Sequence, residues 1–149
     1  ISGKKYCFDD NGVMQTGWYK HQWWGEFYDW YYTDKNGVVQ TGWQKIDGKW
    51  YYFGNDGCMV TEYRQILGKE YYFDNGVMQT GWYKDEWWDY HYSWYYLDSN
   101  GEKVYGWQKI DGKWYYFDDY GQMASDGWYI IKRITYYFKE NGEWDPSAA

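Results

Sequence analysis

The sequence has little of what most cores are built from. Only 15 of its 149 residues are isoleucine, valine or leucine, and only two are cysteine. So few aliphatic side chains exclude an ordinary aliphatic core, and 18 glycines with few helix formers in a row exclude a helical bundle. Two cysteines are too few for a disulfide scaffold. No apolar run approaches the length of about 18 residues that a membrane-spanning helix needs, so we expect no membrane span.

Positive charge and catalytic side chains are also scarce. The net charge of −7 argues against binding to a phosphate backbone, so no nucleic-acid partner is predicted, and it favours neutral or cationic ligands. The only histidines are His21 and His91, and no further ligand recurs at metal spacing. Most acidic residues stand in turn-forming stretches, and the lone serines have no partner base. We therefore predict no catalytic residues, no metal site and no cofactor.

Aromatic residues take the place of the missing aliphatic ones. The chain has 14 tryptophans, 22 tyrosines and 6 phenylalanines. Disordered segments are poor in such residues, and each ring buries a large apolar surface on folding. The chain should therefore fold around aromatic side chains.

Internal repeats organise these aromatic residues. The clearest copy covers 42–61 and reads GWQKIDGKWYYFGNDGCMVT, with a near twin from Gly106. Asp-Gly between two strand-forming runs predicts a β-hairpin, because both turn residues must accept a positive φ. Single hairpins of about 20 residues cannot close a core alone and must stack on their neighbours. The sequence therefore predicts an all-β solenoid of stacked β-hairpins, with a half repeat over 1–16 and repeats beginning at Gly17, Gly42, Glu62, Gly81, Gly106 and Gly127.

A longer period of 64 residues is superimposed on the hairpin repeat. Residues 10–20 recur unchanged at 74–84, and residues 42–53 recur unchanged at 106–117. Within a block one hairpin is long, one is short and one is degenerate. In the degenerate hairpin another residue replaces the tryptophan that begins the aromatic cluster. These replacements are Lys5, Glu70 and Thr135. Because the pattern begins in its middle, we expect residues 1–149 to form one repeat module of a longer protein.

Each aromatic cluster has two faces. In the cluster from Trp50 to Phe53 (WYYF), the strand period of two puts the first and third rings on one face and the second and fourth on the other. Trp43 of the partner strand can stand beside Trp50. Two indoles and a tyrosine around a small gap form an aromatic cage that suits a quaternary ammonium group, although the same rings also suit a sugar or a plain core. We interpret the first tyrosine and the phenylalanine of each cluster as core, and the tryptophan pairs as a ligand pocket.

The pattern of Gly-Trp, Gly-Lys-Trp-Tyr-Tyr-Phe and Gly-x-Met resembles the cell-wall-binding repeats of Gram-positive surface proteins. This family includes the choline-binding modules of pneumococcal autolysins and the related glucan-binding and clostridial toxin repeats. The resemblance covers nearly the whole chain and implies a left-handed β-solenoid in a secreted, cell-surface protein. It also implies that choline lies between consecutive hairpins, held by two tryptophans of one hairpin and an aromatic residue of the next, often beside a methionine.

Transferred to this sequence, the resemblance implies four ligand sites. Each combines the two tryptophans of one hairpin with a tyrosine of the next: Trp18 and Trp30 with Tyr52, Trp43 and Trp50 with Tyr72, Trp82 and Trp94 with Tyr116, and Trp107 and Trp114 with Tyr137. Met59 and Met123 are the expected floors of such sites. The third repeat, with Tyr63 and Glu70, and the last, with Thr135, are expected to lack a cage.

These observations predict a non-catalytic module that attaches a larger secreted protein to choline-bearing teichoic acid or to a glucan. The alternatives are a module that binds another glycan and a structural spacer stalk, and a homodimer is compatible with the sequence. The two long hairpins carry aromatic inserts with Trp23 and Trp24 in the first and Trp87 and Trp88 in the second. They predict a second binding surface, with the alternative that each insert folds back over its own hairpin.

Overall fold

The computed structural model describes residues 3–86 and 92–148, and this part of the chain consists of strands and turns without a helix. The prediction of an all-β chain of hairpins is confirmed. The strands are β1 Gly17–Trp24, β2 Phe27–Thr33, β3 Gly42–Ile46, β4 Lys49–Phe53, β5 Glu62–Ile66, β6 Lys69–Asp74, β7 Val77–Met78, β8 Gly81–Glu86, β9 Tyr92–Leu97, β10 Gly106–Ile110, β11 Lys113–Phe117, β12 Gly127–Ile131 and β13 Ile134–Phe138.

Consecutive strands pair as antiparallel hairpins. The two-stranded sheets are β1–β2, β3–β4, β8–β9, β10–β11 and β12–β13, and a three-stranded sheet has the order β5-β6-β7. In the β3–β4 hairpin the turn residues Asp47 and Gly48 have φ values of 49° and 80°, as a two-residue hairpin turn requires. In this register Trp43 faces Tyr52 and Lys45 faces Trp50, which makes the two tryptophans diagonal neighbours on one face.

Contacts divide the chain into two compact units, one of residues 1–66 and 72–79 and the other of residues 67–71 and 80–149. In the first unit Phe53 and Phe73, the last rings of their clusters, are 0% and 1% exposed. In the second unit Phe117 and Phe138 hold the same position and are fully buried. The interpretation of the cluster phenylalanines as core is therefore confirmed for these four, whereas Phe8 of the half repeat is 54% exposed.

After five of the hairpins, one residue ties the hairpin to the preceding repeat. Met59, which we call a bridge residue, pairs with Phe53 of its own hairpin, and its N–H donates to the carbonyl oxygen of Trp30 over 2.8 Å. Met123 and Trp144 make the same bond, at 2.8 Å, to Trp94 and Trp114. The bridge residues with this arrangement are Val39, Met59, Lys103, Met123 and Trp144.

The Met59 side chain packs against a glycine in the turn that follows β6. Gly76 has a φ of +82°, and a Cβ atom added there would lie 2.3 Å from the Met59 Sδ atom. Gly48 has a similar φ of +80°, but a Cβ atom there would meet nothing within 4 Å. Glycine is therefore needed at position 76 both for its left-handed backbone and because the Met59 side chain occupies the space of a Cβ atom. At position 48 it is needed only for the left-handed backbone.

We predict that Gly76→Ala lowers the free energy of unfolding more than Gly48→Ala does. The left-handed backbone should cost about 1 kcal/mol in both variants. Overpacking against Met59 should add roughly 1–3 kcal/mol in Gly76→Ala alone. Urea unfolding followed by tryptophan fluorescence measures both values, and equal losses would contradict the packing role of Gly76.

Candidate functional site

Four pairs of tryptophans form right-angled corners on the hairpins. In each pair the indoles are diagonal neighbours of one hairpin, and their planes meet at 82–89°. The ring centroids are 6.2–6.4 Å apart in the pairs Trp18–Trp30, Trp43–Trp50, Trp82–Trp94 and Trp107–Trp114. The structure thus brings together every tryptophan pair that the sequence predicts.

The third ring beside the first pair is Tyr51, and the prediction of Tyr52 at this place is wrong. Tyr51 lies 4.9 Å from Trp18, whereas Tyr52 lies 5.2 Å from Trp43 of its own hairpin. The reason is strand alternation, since neighbouring side chains of β4 point to opposite faces. Tyr51 and Phe53 share the face that packs back onto Trp18.

The same shift of one residue corrects the other predicted third rings. Tyr115 lies 4.9 Å from Trp82, and Tyr136 lies 4.8 Å from Trp107. The predicted Tyr116 and Tyr137 instead pack against tryptophans of their own hairpins: Tyr116 lies 5.4 Å from Trp107 and Tyr137 lies 5.1 Å from Trp128.

Tyr72 is the remaining predicted third ring. Phe73, its neighbour in β6, packs 5.7 Å from Trp43, so strand alternation points Tyr72 to the other face. Strand alternation therefore argues against Tyr72 as the third ring of the Trp43–Trp50 pair.

Two of the corners open into pockets that contain the predicted methionines. Met59 lines a pocket of about 700 Å³ together with Trp18, Trp30 and Tyr51. Met123 lines a pocket of about 360 Å³, whose other lining residues are Trp82, Trp94, Tyr115, Glu140 and Asn141. The bridge position brings each methionine to its tryptophan pair, because the methionine N–H donates a hydrogen bond to the carbonyl oxygen of the second tryptophan in that pair.

Trp144 is a ring that the sequence analysis missed. It holds the bridge position after the last hairpin and lies 5.8 Å from Trp107 and 6.1 Å from Tyr136. Its spacing of six residues from Phe138, the same as that of Met59 from Phe53, is the signal that would have found it. Trp144 therefore occupies at the last pair the place that methionine has at two others.

Both lysines and carboxylates lie around the rings, and the carboxylates of Asp29 and Glu140 line the two pockets. Lys45 and Lys109 face the second tryptophan of their pairs, with Nζ 5.7 Å from the Trp50 ring and 5.9 Å from the Trp114 ring. The tyrosine of one corner stays neutral, because burial and, secondarily, the Glu143 carboxylate raise the pKa of Tyr115. The site surfaces are therefore neutral rings with charged groups of both signs at their edge.

Several carboxylates that the sequence places in turns accept hydrogen bonds from the backbone. The Asp34 carboxylate accepts from the N–H groups of Asn36 and Val38 at 2.8 and 3.0 Å. Asp9, Asp98 and Asp118 are used in the same way. Within residues 3–86 and 92–148 no three histidine, cysteine or acidic side chains converge as a metal site would need.

The aromatic insert of the first long hairpin is exposed. Trp23 and Trp24 are 58% and 70% exposed, and Phe27, which packs 4.6 Å from Trp24, is 63% exposed. Trp23 nevertheless contacts its own hairpin, because its ring lies 4.4 Å from that of His21 and its Nε1–H donates to the Asp29 carboxylate over 2.6 Å. Trp87 and Trp88 of the second insert lie outside the described residues.

Comparison with known proteins agrees with this geometry. Residues 40–74 and 87–128 match the choline-binding repeat, and residues 126–143 match a cell wall binding repeat. Choline-binding protein F from Streptococcus pneumoniae is 37% identical with a TM-score of 0.79, over 94% of this chain and 43% of that protein. Its complex with ipratropium is matched at 36% identity and a TM-score of 0.79, over 90% of this chain and 44% of that one.

CbpJ from Streptococcus pneumoniae TIGR4 is 32% identical with a TM-score of 0.70, over 94% of this chain and 56% of that protein. The chain thus spans about half the length of these relatives or less. A search of curated proteins gave no match. In the described part of the chain no helix is long and apolar enough to cross a membrane.

The contact of Tyr51 with Trp18 leads to a prediction that can be tested without a ligand. In a double-mutant cycle, Trp18→Ala and Tyr51→Ala should be coupled by about 0.5–1.5 kcal/mol in the free energy of unfolding, because their rings are in edge contact. The matched cycle with Trp18→Ala and Tyr52→Ala should show no coupling beyond about 0.3–0.5 kcal/mol. Stronger coupling to Tyr52 than to Tyr51 would restore the original assignment.

Proposed function

The chain belongs to the choline-binding repeat family, and from that premise we propose that it is a non-catalytic module that holds a larger secreted protein at choline-bearing cell-wall polymers. The observation that carries this proposal is the right-angled indole corner, which recurs in four hairpins. At three of these corners the first tyrosine of the next cluster adds a third ring. Such a set of ring faces attracts a quaternary ammonium group by cation–π interaction.

The proposed sites follow the observed contacts. They are Trp18, Trp30, Tyr51 and Met59; Trp43, Trp50 and Met78; Trp82, Trp94, Tyr115 and Met123; and Trp107, Trp114, Tyr136 and Trp144. Met78 belongs to the second because it pairs with Phe73, the ring that packs on Trp43, as Met59 pairs with Phe53. The net charge of −7 adds a field that favours a cationic ligand over an anionic one.

Each site alone should bind choline weakly. A few ring contacts, each worth about 0.5–2 kcal/mol, less the cost of association, correspond to a dissociation constant in the roughly millimolar range. A cell-wall polymer carries many choline groups, so several sites can engage one polymer. Attachment would then depend on multivalency, which raises the overall affinity without any new contact.

A second candidate surface is the exposed tip of the first long hairpin. Trp24 and Phe27 present flat, exposed rings 4.6 Å apart, and such rings suit the apolar face of a sugar. We propose that this tip contacts glycan chains next to the choline groups. It lies on a different part of the hairpin from Trp18, so the two kinds of binding are separable by mutation.

We predict that Trp94→Ala removes one of four choline equivalents. The variant loses one wall of the Trp82–Trp94 corner, while the other three corners keep their rings. Isothermal titration with choline, with tryptophan fluorescence as a second readout, counts the sites. The control is Trp128→Ala, since in this hairpin Thr135, opposite Ile130, stands where the second tryptophan of each pair stands in the other hairpins. Four equivalents in Trp94→Ala would contradict the pocket assignment.

We predict that Trp24→Ala weakens binding to an immobilised glucan several-fold and leaves the number of choline equivalents unchanged. Leu67→Ala is the control, because Leu67 is 98% exposed but has no ring. Glucan pull-down in saturating choline measures the effect. Loss of stability with all binding retained would make Trp24 a local packing residue and would leave the tip without a binding role.

A further inference from the structure

The residues around Glu70 of the third hairpin, which we call the Glu70 junction, are arranged like those of the tryptophan sites but differ in kind. Glu70 stands where most of the other clusters begin with tryptophan, and the bridge residue Lys103 donates its N–H to the Glu70 carbonyl oxygen over 2.8 Å. Met59 makes the same bond to Trp30. The first tyrosine of the next cluster is here Tyr95, which is 7% exposed. This junction therefore keeps the backbone of a binding site and changes its side chains.

The ammonium group of Lys103 lies inside this junction. It forms an ion pair with the Glu70 carboxylate and donates to the carbonyl oxygen of Tyr120 over 3.0 Å. It also lies 5.2 Å from the ring centroid of Tyr95 and 5.6 Å from that of Tyr105. The Tyr105 hydroxyl donates to Glu70 Oε2 over 2.6 Å. The Lys103 side chain is only 14% exposed, so an anion, a carbonyl group and two rings surround the cation.

The corresponding junction of the first unit supports the role of the carbonyl group. Tyr120 precedes the turn glycine Gly121, and the residue at its place in the first unit is Asp56, before Gly57. The Lys5 ammonium donates to the Asp56 carbonyl oxygen over 3.2 Å. Lys5 begins its cluster, whereas Lys103 is a bridge residue. Lysines from two different positions of the repeat thus donate to equivalent carbonyl groups, those of Asp56 and Tyr120.

We infer that the Glu70 junction is a cation site for a primary ammonium group, which the chain fills with its own Lys103. A primary ammonium has three N–H donors, and Glu70 and the Tyr120 carbonyl group accept from it here. A quaternary ammonium has no N–H group. If it replaced the Lys103 ammonium, the partly buried acceptors of Glu70 and Tyr120 would lose their hydrogen bonds. The junction therefore selects against choline, and this inference does not depend on choline binding at the tryptophan pairs.

Truncation of Lys103 tests this inference, because Lys103→Ala removes a fragment equivalent to n-propylammonium. The variant should have a lower melting temperature than the parent chain. Added n-propylammonium should raise it in a saturable manner by roughly 2–4 °C more than it raises that of the parent chain. Tetramethylammonium at equal ionic strength should give a clearly smaller difference. An equal response of both chains to n-propylammonium, or equal rescue by tetramethylammonium, would overturn the inference.

Two variants show whether the rescue is specific. Glu70→Gln combined with Lys103→Ala should lose most of the response to n-propylammonium, because the carboxylate is gone. Lys109→Ala should respond as the parent chain does, since Lys109 lies at the edge of Trp114 rather than in this junction. The number of choline equivalents should be the same in Lys103→Ala as in the parent chain. A failure of choline binding in both chains would count against the proposed function alone.

A measurement on the intact chain covers the case in which Lys103→Ala does not fold. In protein labelled with ¹⁵N-lysine, the Lys103 ammonium should give a signal that exchanges slowly with solvent and is shifted by the nearby tyrosine rings. Lys103→Met, which keeps an unbranched side chain, should lack that signal and so assign it. Absence of any protected lysine ammonium signal in the parent chain would show that Lys103 is solvated and would overturn the inference.

Discussion

The hydrogen bond from the bridge residue N–H to the carbonyl oxygen of the first residue in the preceding aromatic cluster is the constraint that holds the tryptophan pairs ending in Trp30, Trp94 and Trp114 against the next hairpin. It joins Met59 to Trp30 and Met123 to Trp94 with the same length of 2.8 Å. A single hairpin has too few residues to bury its rings, so each must be held against its neighbours within its compact unit. The bond does this through backbone atoms, and the side chain of the bridge residue is carried to the tryptophan corner at the same time.

Strand alternation gives each cluster two tasks. The first and third rings, such as Trp50 and Tyr52, contact Trp43 of their own hairpin. The second and fourth rings, Tyr51 and Phe53, pack against Trp18 of the preceding hairpin. Tyr51 is therefore both a packing residue and the third ring beside the preceding tryptophan pair. The interpretation of the first tyrosine as core alone was incomplete for this reason. Packing and the proposed ligand recognition use the same rings, so the stack that stabilises the unit would also orient the proposed sites.

Because the backbone frame is constant, the chemistry of a junction is set by a few side chains. Tryptophan with methionine makes an aromatic corner at Trp30 and Met59, and tryptophan with tryptophan does so at Trp114 and Trp144. At the third hairpin the same two positions hold Glu70 and Lys103, whose side chains form an ion pair with limited exposure. Replacing one partner alone would leave a partly buried charge without its counterpart, which destabilises the folded state.

The sequence by itself determined the hairpins, the tryptophan pairs and the family. Asp47-Gly48 specifies a turn by its φ values, and the spacing of Trp43 and Trp50 puts both on one face, so both follow from interactions within one hairpin. Only the tertiary structure decided that Tyr51, rather than Tyr52, contacts Trp18, that Trp144 lies beside Trp107, and that the Lys103 ammonium pairs with Glu70. These contacts join residues of different hairpins, and their geometry depends on how consecutive hairpins are rotated and stacked, which local periodicity does not encode.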